Sequence, residues 1–187
     1  MKKIPAVHKL FEKSVKVKRV FKGNAVNFNE DVVRLVNGKT ATREYIDHPG
    51  AAAALPITDK GEIVMVRQFR YPVGEVTWEI PAGKCHGAGD DPLRRARHEL
   101  REETGYTARS VKKLITFWPC CAFSNETLPI YLATGLKPGP MSPDEDEFLH
   151  VMSVPLDKAL KMIKSGAIKD SKTVIAILMY AAGIRGK

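Results

Sequence analysis

Only three cysteines occur in the 187 residues, Cys85, Cys120 and Cys121. An odd number with two adjacent excludes a disulfide framework and supplies neither a C-x-x-C pair nor a Cys/His metal spacing. A reducing compartment is the expectation, with the cysteines as buried small hydrophobes. Long apolar runs are missing too. The longest, TVIAILMYAAGI from Thr173, is far short of the roughly 20 residues that a membrane span needs. The apolar letters after Lys2 and Lys3 are broken by His8, Lys9, Glu12 and Lys13, so they do not form the core of a secretory signal. A cytoplasmic protein with no membrane partner is expected.

Acid is what the N-terminus lacks. Residues 1–23 hold eight Lys or Arg against the single acid Glu12, which leaves only about +2 of the net +9 for the remainder. Such a segment could bind nucleic acid, yet aromatics are only 7% of the chain and none is interleaved there as a base-stacking platform would need. The alternation of apolar and basic residues in SVKVKRVF, residues 14–21, instead fits a strand with one wet face. Nucleic acid is therefore not expected as a partner.

At 44% hydrophobic the chain can bury one main core. DVVRLVNGKTATREYI predicts two strands around an Asn37-Gly38 turn. AAAALPI, GEIVMVRQFR and VTWEIPAG predict three more, the last stopping at Pro81-Ala82-Gly83. A glycine-rich loop then leads to a helix opened by Asp91 and Pro92 and closed by Gly105. Strands at KKLITFW, LPIYLAT and FLHVMSV precede helices over about 155–165 and 171–182. Strands interleaved with helices and hairpin turns argue for a mixed sheet covered by helices on both sides, an α/β (α+β) architecture. A strand region over 1–47 and a main domain over 48–187 are the expected division.

The stretch HELREETGY, residues 98–106, puts Glu99, Glu102 and Glu103 on one helical face, where like charges repel. Two readings follow. The face is solvated and balanced by Arg94, Arg95, Arg97 and Arg101, or it holds a cation. A glycine-rich entry straight off a strand favours the cation, because the PAG strand end can aim a backbone carbonyl at the same point. Hard oxygen donors of this kind suit Mg²⁺ or Mn²⁺.

The segment GKCHGAGDDPLRRARHELREETGY, residues 83–106, resembles the Nudix box, G-x5-E-x7-R-E-U-x-E-E-x-G-U with U aliphatic. Glu99, Leu100, Glu102, Glu103 and Gly105 match position for position. The likeness runs from about residue 30 to the C-terminus through REYIDHPGAAAALPI, VRQFRYPVGEVTWEIPAGK, AFSNETLPIYLA and DEDEFLHVMSVPL, which are similar to segments of the ADP-ribose pyrophosphatase branch. That resemblance implies a Nudix-type α/β/α sandwich with a mixed sheet and a small N-terminal antiparallel strand domain. It also implies Mg²⁺-dependent (or Mn²⁺-dependent) cleavage of the pyrophosphate of ADP-ribose and related nucleoside-diphosphate sugars, and a homodimer with exchanged N-terminal strands. GDP-mannose-type or other dinucleotide hydrolysis, an RNA-decapping role and a non-catalytic nucleotide-sugar sensor are the alternatives.

Residue by residue, the resemblance makes the Ala82 carbonyl, Glu99 and Glu103 direct metal ligands, and Glu102 a ligand directly or through water. The base falls on PDEDEF, with Glu145 first and Glu147 second; an ordinary acidic turn is the other reading. Arg70 matches a phosphate-contacting arginine, or is a strand-end surface charge. Arg43, Glu44 and Glu79 match pocket positions, and Glu126 an acid near the metals. Trp118 and Phe123 are expected in the core. The chain departs from the box in a loop one residue longer, in Asp90 for Glu, His98 for Arg and Tyr106 for the last aliphatic residue. An Arg at position 98 would hold the neighbouring carboxylates by permanent charge; His98 does so weakly, which predicts looser ordering and a pH limb near the histidine pKa. Cys121-Ala122 stands where the branch often has Pro-Gly, which predicts broad sugar-nucleotide use.

Overall fold

The computed structural model describes residues 10–87 and 89–186, so Lys2, Lys3 and Lys9 of the basic N-terminus lie outside it. The chain divides into two compact units, the described part of Met1–His48 with Cys120–Glu126, and Pro49–Pro119 with Thr127–Lys187.

The first unit is an antiparallel sheet built on β3 (Asn27–Arg34). One edge of β3 pairs with β4 (Thr40–Asp47), and the other with β1 (Lys13–Lys16) and β2 (Arg19–Lys22) in turn. The one strand expected over 14–21 is thus two. The break falls where the Lys18 backbone N–H donates to Asp31 Oδ1 at 3.1 Å instead of to the ladder. Asn29, Asp31 and Val33 alternate along β3 as its buried face. Tyr45 closes that face by accepting from Asn29 Nδ2 at 2.9 Å and donating to Asp31 at 3.1 Å. Cys120–Glu126 joins β4 through a parallel bridge of Ser124 with Ile46.

The second unit holds a mixed four-stranded sheet, in order β8 (Ala82–Lys84), β5 (Ala51–Pro56), β10 (Leu128–Pro138) and β9 (Tyr106–Phe117). β5 and β10 run parallel and the outer pairs antiparallel. A second, antiparallel sheet has the order β11 (His150–Pro155), β6 (Glu62–Arg70) and β7 (Glu75–Glu79). β5 is buried on both faces, and its period of two sorts its side chains. Ala51, Ala53 and Leu55 pack with Ile130, Leu132 and the helices α2 (Leu156–Lys164) and α3 (Ser171–Ala181). Ala52 and Ala54 pack with Tyr131, Ala133 and the helix α1 (Pro92–Thr104). Helices therefore cover both faces of the mixed sheet, as expected.

Asp91 caps α1 by accepting from the Leu93 N–H at 3.0 Å, with Pro92 at the first helical position. Gly105 ends it at φ 73°, its N–H donating to the Arg101 carbonyl at 2.8 Å. The inward stripe is Ala96 and Leu100, one turn apart and fully buried. Small alanines on β5 let the helix approach closely, and this draws Glu99 and Glu103, three residues beyond each, beneath the surface. Two expected core aromatics are not in a core: Trp118 and Phe123 are both exposed. Of the free thiols, Cys85 is buried and Cys121 exposed; the short turn after β9 turns Trp118 and Cys121 outward.

Candidate active site

Glu103 is 2% exposed, and its Oε2 has no hydrogen-bond partner among the described residues. Burial, with Glu99 and Glu147 adding like charge, pushes its carboxyl up to about 9, against which Lys172 and the Ala82 N–H pull only weakly. Glu99 is also held above the usual carboxylate range by burial, then eased by Arg95 and raised again by Glu102 and Glu147. A Cβ on Gly83 would stand 2.1 Å from Glu99 Cδ, so the glycine leaves the space that the carboxylate fills. His98 Nδ1 lies 2.6 Å from Glu102 Oε2. Ligand atoms of His98, Glu99 and Glu102 all fall within 4.8 Å of one another.

This donor set fits a hard divalent cation. Three carboxylates share one helix face, one of them keeps an orphaned buried oxygen, and β8 sits against them with the Ala82 N–H on Glu103. Without a cation Glu99 and Glu103 resist ionisation, because burial and like charge favour their neutral forms.

Arg70 and Lys172 form a network around the buried Glu79 in the same unit. Glu79 is 2% exposed. It accepts from Arg70 Nε at 2.8 Å and Nη2 at 2.7 Å, from Thr77 Oγ1 at 2.6 Å and from Lys172 Nζ at 2.5 Å. Burial alone would raise its carboxyl; the bonds from Arg70 and the charge of Lys172 override that and hold it at about 2. Arg70 also lies within electrostatic reach of Glu103. The packing of α3 sets this up, because Ile80 donates its N–H to Thr173 Oγ1 at 2.9 Å beside Lys172.

The acidic loop is moored to α1. The Ser142 N–H donates to the Glu102 carbonyl at 3.1 Å, and the Gly139 carbonyl lies where a Cβ on Gly105 would meet it at 2.4 Å. Within that loop Glu145 is exposed and Glu147 half-buried. Glu147 is the one whose charge reaches Glu99 and Glu103. Burial raises its carboxyl; Asp144 and Asp146 add to that, while the Asp144 N–H and Arg70 oppose it.

The remaining predicted residues, Arg43, Glu44 and Glu126, belong to the first unit. Arg43 is exposed and forks onto Glu12, with Nε 2.8 Å from Oε2. Glu44 is exposed on β4 opposite Glu30, and Glu126 Oε1 lies 3.7 Å from His48 Nδ1. Sequence reasoning missed Lys172, whose partner Glu79 is 93 residues away with no local signal. It read Arg95 only as one of four balancing charges, although its spacing of four from Glu99 singles it out.

An α/β/α unit with its charge gathered on one helix and on the loop moored to it is the layout of a hydrolase acting on a phosphorylated substrate. The NUDIX domain family matches residues 47–175. The chain is 45% identical to the methanol dehydrogenase activator of Bacillus methanolicus, over 90% of this chain and 92% of that one. It is 42% identical to the ADP-ribose pyrophosphatase of Bacillus subtilis strain 168, over 90% and 91%. A crystal structure of an ADP compounds hydrolase superposes with a TM-score of 0.80 at 18% identity, covering 92% of this chain and 94% of that one, which bears on the fold. The chain belongs to the NUDIX family, and within it to the pyrophosphohydrolases.

Proposed function

We propose that the substrate is ADP-ribose and related nucleoside-diphosphate sugars, cleaved at the pyrophosphate to a nucleoside monophosphate and a sugar phosphate. The observation that carries this reading is the cluster of Glu99, Glu102 and Glu103 on one helix face, with Glu99 and Glu103 buried. A binding-only module has no reason to bear the repulsion of three clustered carboxylates. The names of the relatives support the substrate class.

Glu99, Glu103 and the Ala82 carbonyl would hold Mg²⁺, or Mn²⁺, with Glu102 joining directly or through water; a cation there would supply charge neutralisation for the pyrophosphate oxygens and a more acidic attacking water. Glu147 is the base, its carboxylate taking the proton of that water. Its burial and acidic neighbours raise its proton affinity toward the working pH. Glu145 is exposed. Glu79 and Lys172 keep the Arg70 guanidinium at the edge of the site, within reach of phosphate oxygens. Arg43 and Glu44 as substrate-binding residues, and a homodimer with exchanged N-terminal strands, belong to the same reading. A cytoplasmic setting is part of the proposal; no helix among the described residues is long and apolar enough to cross a membrane.

The test is a panel of ADP-ribose, GDP-mannose, other nucleoside-diphosphate sugars, NADH and capped RNA with Mg²⁺, and product identification. The expected products are AMP and ribose 5-phosphate from ADP-ribose, with several sugar nucleotides also turned over. Tight binding of one compound with turnover of none would make the protein a sensor.

A further inference from the structure

We propose that Arg95 is the positioning residue for Glu99, in a task that the Nudix box gives to an arginine at position 98. The inference rests on Glu99 being a metal ligand, as read above. The Arg95 side chain is 12% exposed. Its Nη1 reaches Glu99 Oε1 at 3.3 Å, while Nε and Nη2 reach Asp90 Oδ2 at 3.3 and 3.2 Å. The same Asp90 oxygen accepts the His86 N–H at 3.0 Å. One guanidinium therefore ties the glycine-rich loop to the ligand carboxylate. Across from it, the β8 backbone at Gly83 lies so close that an added Cβ would stand 2.1 Å from Glu99 Cδ, so the carboxylate sits between a fixed charge and a strand.

Three departures from the box become one substitution in this light. His98 cannot supply a permanent charge, and it is engaged by Glu102 instead, at 2.6 Å. Moving the guanidinium three residues back along the helix shifts its anchor about 4.5 Å toward the loop. That shift suits an acid shortened from Glu to Asp and carried on a loop one residue longer. A cavity of about 360 Å³ beside this network is lined by His86, Gly87, Asp90, Arg94, Arg95 and His98.

The test is Mn²⁺ binding to the whole chain, followed by the paramagnetic signal of free Mn²⁺, with circular dichroism to check folding. Arg95→Ala is expected to weaken binding by roughly 10- to 100-fold, the usual cost of losing a partner of a metal ligand. The double variant Arg95→Ala with His98→Arg is expected to recover most of it, and Arg95→Lys less, because an ammonium does not fork between two carboxylates. Should Arg95→Ala not fold, Arg95→Gln takes its place in the same comparison. Binding indistinguishable from wild type in the Arg95 variant, or no recovery in the double variant, overturns the inference; so does a lowered melting temperature with unchanged Mn²⁺ affinity. Glu99→Gln separates the two levels. Wild type failing to bind Mn²⁺, or Glu99→Gln binding as wild type does, overturns the metal-site reading itself.

Discussion

Replacing Glu79 by Gln removes the carboxylate that Arg70 and Lys172 both hydrogen-bond while keeping its shape, and leaves Lys172 its ion pair with Asp170 at 3.0 Å. The wild-type carboxyl sits at about 2 against an ordinary 4.5, which at about 1.4 kcal/mol per pH unit is on the order of 3 kcal/mol of stability. The folded value lies below the unfolded one, so the unfolded chain takes up the proton more readily. The contribution is complete above about pH 4.5 and disappears as the pH falls through 2. Breaking one partner out of a buried ion pair costs about 3–5 kcal/mol. Arg70 is 43% exposed in its side chain and can regain water, so the lower end applies. Urea unfolding of wild type and Glu79→Gln between pH 7 and pH 3 should show a gap of about 3 kcal/mol at neutrality that narrows steadily in acid. Carboxylates elsewhere titrate in both proteins and cancel. A gap that stays constant with pH would refute the assignment of this stability to the Glu79 charge.

Gly83→Ala should push Glu99 out of its slot, because the added Cβ falls 2.1 Å from the carboxyl carbon; the Mg²⁺ concentration for half-maximal activity is expected to rise, and an unchanged Mg²⁺ titration would count against the slot. Glu147→Gln and Glu145→Gln should differ, with the larger loss of kcat, about 10²- to 10⁴-fold, falling on Glu147, and equal losses arguing against it as the base. Gly105→Ala faces both a φ of 73° and the Gly139 carbonyl at 2.4 Å; unfolding should show a loss of at least about 1–2 kcal/mol, together with reduced kcat as the loop carrying Glu147 is displaced. Leu100→Ala, at a fully buried site between α1 and β5, should cost about 2–5 kcal/mol in the same assay.

Much of the fold was legible because its signals are local. Asp91, Pro92 and Gly105 bound α1 as the capping rules require, and the Asn37-Gly38 turn separates β3 from β4 as expected. β9 and β10 run longer than their apolar runs, since YTARSV and GLKP extend them on ladder bonds that no apolar pattern reports. The alternation at 14–21 could not show that a side chain 13 residues away, Asp31, would take the Lys18 N–H and split the strand. The return of Cys120–Glu126 to β4 is a pairing across more than 70 residues and leaves no local trace. In the site, the helical spacing of Glu99, Glu102 and Glu103 was plain, whereas the choice between Glu145 and Glu147 depended on how the loop is moored. Burial on that scale comes from tertiary packing.

The most direct measurement is ADP-ribose hydrolysis across a Mg²⁺ titration, for wild type and Glu103→Gln side by side. The account predicts saturable Mg²⁺-dependent release of AMP and ribose 5-phosphate by wild type, and background release by a folded Glu103→Gln at every Mg²⁺ concentration. Turnover by the variant with an unaltered Mg²⁺ dependence would contradict it, because the buried carboxyl would then have no part in holding the cation.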